Sequence, residues 1–210
     1  MAASTFPAPM TSNSIEFTGK FAAFYPYNLV SRPNLPPLQK TLCLAVSSPI
    51  SGIIPNQVLT PLYTPDNGTN ALTLGIKYTV EGHVDCLDDT VTWPLCFNPN
   101  RALPSPPTIT GHHKNQIMVN TIGTLISTKF SPNPRDMGRI QLVLTVEHTL
   151  QVSASLHIRY TITPNHLTPF FAWSLNPGRR LCLSGELLMW DASVKSFELK
   201  TAELFEEETF

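Results

Sequence analysis

From residue 140 the chain alternates between apolar and polar side chains with few exceptions. Ile140, Leu142, Leu144 and Val146 occupy even positions, and Val152, Ala154, Leu156, Ile158, Tyr160 and Ile162 continue the set. The odd positions over 141–147 and 151–163 are polar or charged apart from Val143. Successive side chains of a strand point to opposite sheet faces, so this period of two predicts a half-buried pair of strands. Pairing Val146 with Val152 across a polar tip of His148, Thr149 and Leu150 keeps even residues opposite even residues. Both strands then bury one common face. Each side chain fully buried there is worth about 1.5 to 3 kcal/mol, so the face requires a second layer to cover it.

Similar runs precede and follow. Residues 15–24, 39–47, 56–63, 71–80, 90–97, 116–130, 179–190 and 194–205 all read as strands. Between them lie RPNLPP, TPDNGTN, NPNRALPSPP, SPNPRDMG and LNPG. These are turn sequences, in which proline fixes φ while glycine or asparagine admits positive φ. Twenty prolines and ten glycines cut short every helical pattern, and the best helical candidate, LKTAELFEEE near the end of the chain, is brief. Eight to ten strands without intervening helices predict an all-β antiparallel sandwich or barrel. No internal repeat and no boundary is visible. The expected organisation is a flexible arm over 1–14, a single β domain over 15–205 and an acidic tail over 206–210.

Charge alters the picture of the surface. The formal net charge is -1 and charged residues make up 14% of the 210 residues, well below an ordinary soluble domain. A surface so poor in charge suits a secreted domain or a subunit covered by neighbours. The first residues, MAASTFPAPMTSNSIEF, carry neither a basic segment nor an apolar core of a secretion signal, and no apolar run is long enough for a membrane span. A covered subunit is therefore the expectation. Cys43, Cys86, Cys96 and Cys182 are widely spaced without a CxxC pair, which favours buried thiols over a zinc site.

The passage SPNPRDMGRIQLVLTVEHTLQVSASLHIRYTITPNHLTP resembles the last hairpin of the jelly-roll shell in coat proteins of small icosahedral RNA viruses of plants and fungi. Pro134, Asp136, Gly138, Arg139, Ile140, Tyr160, Thr161, Ile162 and Pro169 carry the likeness. The first 31 residues hold one base, Lys20, and one acid, Glu16, so the basic arm of many such coats is missing. The likeness leans towards the nearly neutral, proline-rich tymovirus-like coats. It implies a jelly-roll β-sandwich that self-associates into a capsid around viral RNA, residing in the virion and, during assembly, in the host cytoplasm.

Few residue groups point to chemistry. Asp85, Asp88 and Asp89 fall within HVDCLDD and could supply oxygen ligands to Ca²⁺, the ion that the coat likeness implies at subunit contacts. A solvated acidic loop is the alternative. Lys20, the loop doublet His112 and His113, and the adjacent pair Arg179 and Arg180 are the candidate contacts to nucleic acid. No GxSxG, HExxH, GxGxxG or phosphate loop occurs, so no catalytic residue is assigned. Two other readings compete with the coat. One is a viral movement or nucleic-acid-binding protein on a related β-sandwich; the other is a carbohydrate-binding sandwich with Trp93, Trp173 or Trp190 at a sugar site.

Overall fold

The computed structural model describes residues 15–32, 35–47, 56–66, 71–84, 95–105, 117–132, 140–149, 155–162, 175–191 and 196–206. They form twelve strands and one short 3-10 turn, Pro99–Arg101. In chain order the strands are β1 (Ile15–Ala23), β2 (Asn28–Arg32), β3 (Leu35–Ser47), β4 (Asn56–Pro65), β5 (Lys77–Val84) and β6 (Leu95–Phe97). β7 (Leu103–Pro104), β8 (Met118–Pro132), β9 (Ile140–Thr149), β10 (Ser155–Ile162), β11 (Arg180–Asp191) and β12 (Ser196–Glu206) complete the set.

The pairings close into two rings. In the first, β1 pairs with β3, β3 with β4, and β4 runs parallel to β6 with Leu62 opposite Leu95. β6 then pairs with β5, and β5 returns to β1 with Phe17 opposite Gly82. The second ring repeats this circuit. β8 pairs with β9, β9 with β10, β10 runs parallel to β12, and β11 pairs with both β12 and β8. Counting the five principal strands of each half, both rings run first, second, third, fifth, fourth and back to first. β2 extends the edge of β3, and β7 adds to β5. The rings meet where their first strands pair, Phe17 opposite Val119.

Alternation explains which residues fill the rings. Ile15, Phe17, Phe21 and Ala23 of β1 are buried, as are Leu142, Leu144 and Val146 of β9 and Leu156, Ile158, Tyr160 and Ile162 of β10. They join one contiguous apolar cluster that draws on both rings. Gly82 takes a cramped place in the wall: a Cβ there would lie 2.1 Å from the Cys96 carbonyl oxygen and 2.7 Å from the Phe17 ring. Only glycine lets β5 approach β6 and β1 so closely.

The expected all-β class holds, but the strands take the form of closed rings with two parallel pairings rather than an antiparallel jelly-roll sandwich. Alternation identifies which side chains share a face; it leaves open which strands are neighbours. The 140–162 hairpin also forms, in another register. Val146 faces Ile158, and the last pair is Thr149 with Ser155. Even residues still oppose even residues, so the common face survives. His148, expected at a polar tip, continues the inward row and is fully buried, whereas Ile140 is 59% exposed where the ribbon outruns the ring. The run at 71–80 is strand only from Lys77, because Gly75 at φ 76° makes a turn before it. The tail segment read as a helical candidate is strand up to Glu206.

Candidate functional site

The second and third strands of the first ring present an outward row that is mostly apolar. Lys40, Leu42 and Leu44 of β3 stand opposite Tyr63, Pro61 and Leu59 of β4. The Lys40 ammonium lies 5.9 Å from the centre of the Tyr63 ring, within range of a cation–π attraction. Leu59 is 46% exposed. On this same face Val30 of β2 packs on the cluster of Leu38, Tyr63 and Cys96, which fixes the tyrosine and leaves it 7% exposed.

Beside this row the chain makes a step. β1 borders β3 at Cys43–Ala45, leaves it after Ala23, and the same edge is taken up by β2 from Asn28 opposite Lys40. The backbone amides of Phe24 and Tyr25 both donate to the Leu42 carbonyl, at 3.0 and 3.2 Å. Their rings meet edge to face, 4.8 Å between centres, and remain half exposed. Two aromatic rings held by backbone hydrogen bonds yet open to solvent form a platform on which planar groups can stack at little cost in order.

The corresponding strands of the second ring carry a different surface. Val143, Thr145, Glu147 and Thr149 of β9 face Thr161, Arg159, His157 and Ser155 of β10. The His157 Nε2 lies 3.7 Å from the Glu147 carboxylate. Lys129 of β8 stands opposite Val143 and is exposed. This face offers hydroxyls and cations instead of rings.

Inside the second ring lies a polar chain. His148 Nδ1 donates to the Ile122 carbonyl at 3.0 Å, which leaves Nε2 as acceptor for the Tyr160 hydroxyl at 3.2 Å. Tyr160 in turn accepts from Thr121 Oγ1 at 2.5 Å. Burial pushes His148 down to about 4; the Ile122 hydrogen bond opposes that shift and electrostatic repulsion from His157 adds to it. Burial likewise raises Tyr160, against the Thr121 hydrogen bond. Both rings thus stay neutral and packed, so this chain serves the fold.

The residues singled out by sequence are scattered. Lys20 is half-buried on β1 opposite Thr79 in the first ring. Arg179 and Arg180 are exposed where β11 begins in the second; the Arg179 amide donates to Asn176, and Arg180 stands opposite Thr124. His112 and His113, Asp85, Asp88 and Asp89, Trp93 and Trp173 lie outside the described residues, and Trp190 sits on β11 opposite Phe197. Among the described residues no group of three His, Cys, Asp or Glu side chains converges on a metal-sized site. Of the four cysteines, Cys43 and Cys96 are buried, Cys182 is only half-buried on β11 and Cys86 lies outside the described residues; burial pushes the Cys43 thiol up to about 12. The aromatic step was missed. Its signal was FYPY at 24–27, three aromatic residues flanking a proline where a strand ends.

The two-ring architecture is shared with proteins of known structure. The wild-type single-stranded DNA binding protein from Thermus aquaticus matches with a TM-score of 0.58 and 13% identity over 94% of each chain. A deletion mutant of that protein matches with a TM-score of 0.58 and 15% identity, covering 94% of this chain and 96% of the other. The likeness is one of fold. No family model matches the chain, and no curated protein matches it. These neighbours overturn the coat-protein resemblance: the hairpin of 138–163 satisfied the coat pattern because any alternating ribbon would, and the ring to which it belongs is of another kind. The capsid reading falls with it.

Proposed function

We propose that the chain binds single-stranded nucleic acid across the outward faces of β3–β4 and β9–β10. The observation that carries this reading is the half-exposed Phe24–Tyr25 pair beside the Lys40–Tyr63 row. It flanks the second and third strands of a closed five-strand ring, the place where barrels of the oligonucleotide-binding type take extended strands. The architecture shared with the Thermus aquaticus proteins supports the same reading. Bases stack on the first ring whatever their identity, because every base has a π-face. The hydroxyls and cations of the second ring then meet phosphate and sugar.

With a net charge of -1 the protein draws little affinity from counterion release. If Lys40, Lys129 and Arg159 each neutralise a phosphate, log affinity against log salt falls with a slope of about -2 for a single strand. Fluorescence anisotropy with labelled oligonucleotides of about 30 nucleotides, titrated at several salt concentrations, tests this. The expected result is binding of single strands of mixed sequence, a shallow salt slope and poor competition by duplex. Absence of binding at low salt, or equal affinity for duplex, overturns the reading.

A further inference from the structure

Apart from the outward faces, the first ring has a cleft of about 730 Å³ where its wall is incomplete. The cause is the brevity of β6. It pairs with β4 only at Leu62 and Tyr63, and at Asn98 the chain turns away into Pro99–Arg101. β4 runs on past it, so Thr64 and Pro65 line an opening whose outer lip is the 3-10 turn. Thr64 is 1% exposed, borders this cleft, and its hydroxyl has no hydrogen-bond partner among the described residues. A buried hydroxyl without a partner costs about 1 to 3 kcal/mol, which a ligand with a polar edge would recover.

The rim is chemically two-sided. Arg32 donates through Nε and Nη2 to the Pro36 carbonyl, at 3.0 and 2.8 Å, which fixes its guanidinium at the cleft with Nη1 uncommitted among the described residues. Arg101 is exposed on the lip. Asn100 and Asn120 add amides that can pair with the edge of a heterocycle. Glu16 and Glu81 also line the cleft and balance its formal charge, so the two arginines mark the side that an anion takes, and the cavity has the size of small-molecule sites.

We infer that this cleft is a nucleotide site, with the phosphate towards Arg32 and Arg101 and the base edge towards Thr64. It rests in part on the proposed strand binding, because the nucleotide can be free or can be the phosphorylated end of a bound strand. Two arms separate these sources. Isothermal titration with each of the four ribonucleoside monophosphates tests the free ligand. Anisotropy with an oligonucleotide with and without a 5′-phosphate tests the strand end. Both arms use the full chain, Thr64→Val and Arg101→Glu.

For a free nucleotide, at least one monophosphate binds, and each variant weakens it by about tenfold while strand affinity stays within about twofold. For a strand end, the phosphorylated oligonucleotide binds about fivefold tighter than its unphosphorylated twin, and Arg101→Glu erases the difference. Arg101 is exposed, so its variant keeps the inference testable should Thr64→Val fold poorly. Monophosphate binding that both variants leave unchanged overturns the site, as does a lack of both monophosphate binding and phosphate preference. If monophosphates bind as expected and oligonucleotides do not bind at all, the cleft stands and the strand reading alone fails.

Discussion

The two rings share a circuit of pairings and differ in how each is closed and what it shows to solvent. In the first, the closing strand β6 is three residues long and meets β4 at two positions. In the second, β12 meets β10 at four positions and β11 at ten. The interiors diverge in step. Tyr160 and His148 of the second ring complete one another's hydrogen bonds, while Thr41 and Thr64 of the first have buried hydroxyls without partners among the described residues. A ring closed along its length can bury a satisfied polar chain. A ring closed by a stub leaves a cleft. One topology thus supports a rigid half and an open half.

The largest expected effect tests the closure of the open half. Gly82→Ala drives a Cβ towards the Cys96 carbonyl, a backbone atom that cannot rotate away, and should cost about 3 kcal/mol or more. Gly123→Ala in the second ring meets the His148 ring at 2.5 Å and Val146 at 2.6 Å, both side chains. It should cost less, about 1 to 2 kcal/mol. Urea unfolding of the two variants measures the contrast. Equal costs would mean that the first ring does not rely on the close approach at Gly82.

Acid should act through the second ring. His148 is held near 4 when folded and returns to 6.5 when unfolded, so between those values the unfolded chain binds the extra proton. Its contribution is whole above pH 6.5, declines as pH falls, and is lost by about pH 4. The displacement of roughly two and a half pH units corresponds to about 3 kcal/mol. Unfolding free energy followed from pH 7.5 to 4 should show this slope, and His148→Gln should flatten it. A slope that survives the substitution would assign the acid sensitivity to carboxylates elsewhere.

Much of the strand content was legible because burial on one face imposes alternation, and β8 to β10 obey it closely. Even the burial of His148 was implied by its even number; only the polarity of the residue pointed to a tip. The rings themselves were hidden. Their closure depends on Leu62 meeting Leu95 and Ile158 meeting Phe197, partners 33 and 39 residues apart in parallel pairings that no local pattern records. The repeat was hidden too, since the halves share a circuit without sharing side chains: Lys40 and Tyr63 occupy a face where the other half has Thr145 and Arg159. Reading for nucleic-acid contacts by charge selected Lys20 and the Arg179–Arg180 pair. In a chain of net charge -1, the exposed rings at Phe24 and Tyr25 are the stronger sign.

That difference between faces gives the smallest and most discriminating effect. Stacking of a base on an aromatic ring contributes about 1 to 3 kcal/mol and is nearly indifferent to salt, whereas a phosphate contact fades as salt rises. Replacing Phe24 and Tyr25 together by alanine should weaken single-strand binding by about tenfold or more at every salt concentration, leaving the salt slope unchanged. Replacing Lys129 by alanine should weaken binding by only a few fold, and chiefly at low salt, with the slope shallower by about 0.7. Lys129 is exposed and Phe24 and Tyr25 are half exposed, so neither change should disturb the core. The two signatures are separable on one anisotropy plot. If the aromatic variant changes the slope and the lysine variant lowers the intercept, the faces have exchanged roles, and the strand is held by charge on the open ring and by contact on the rigid one.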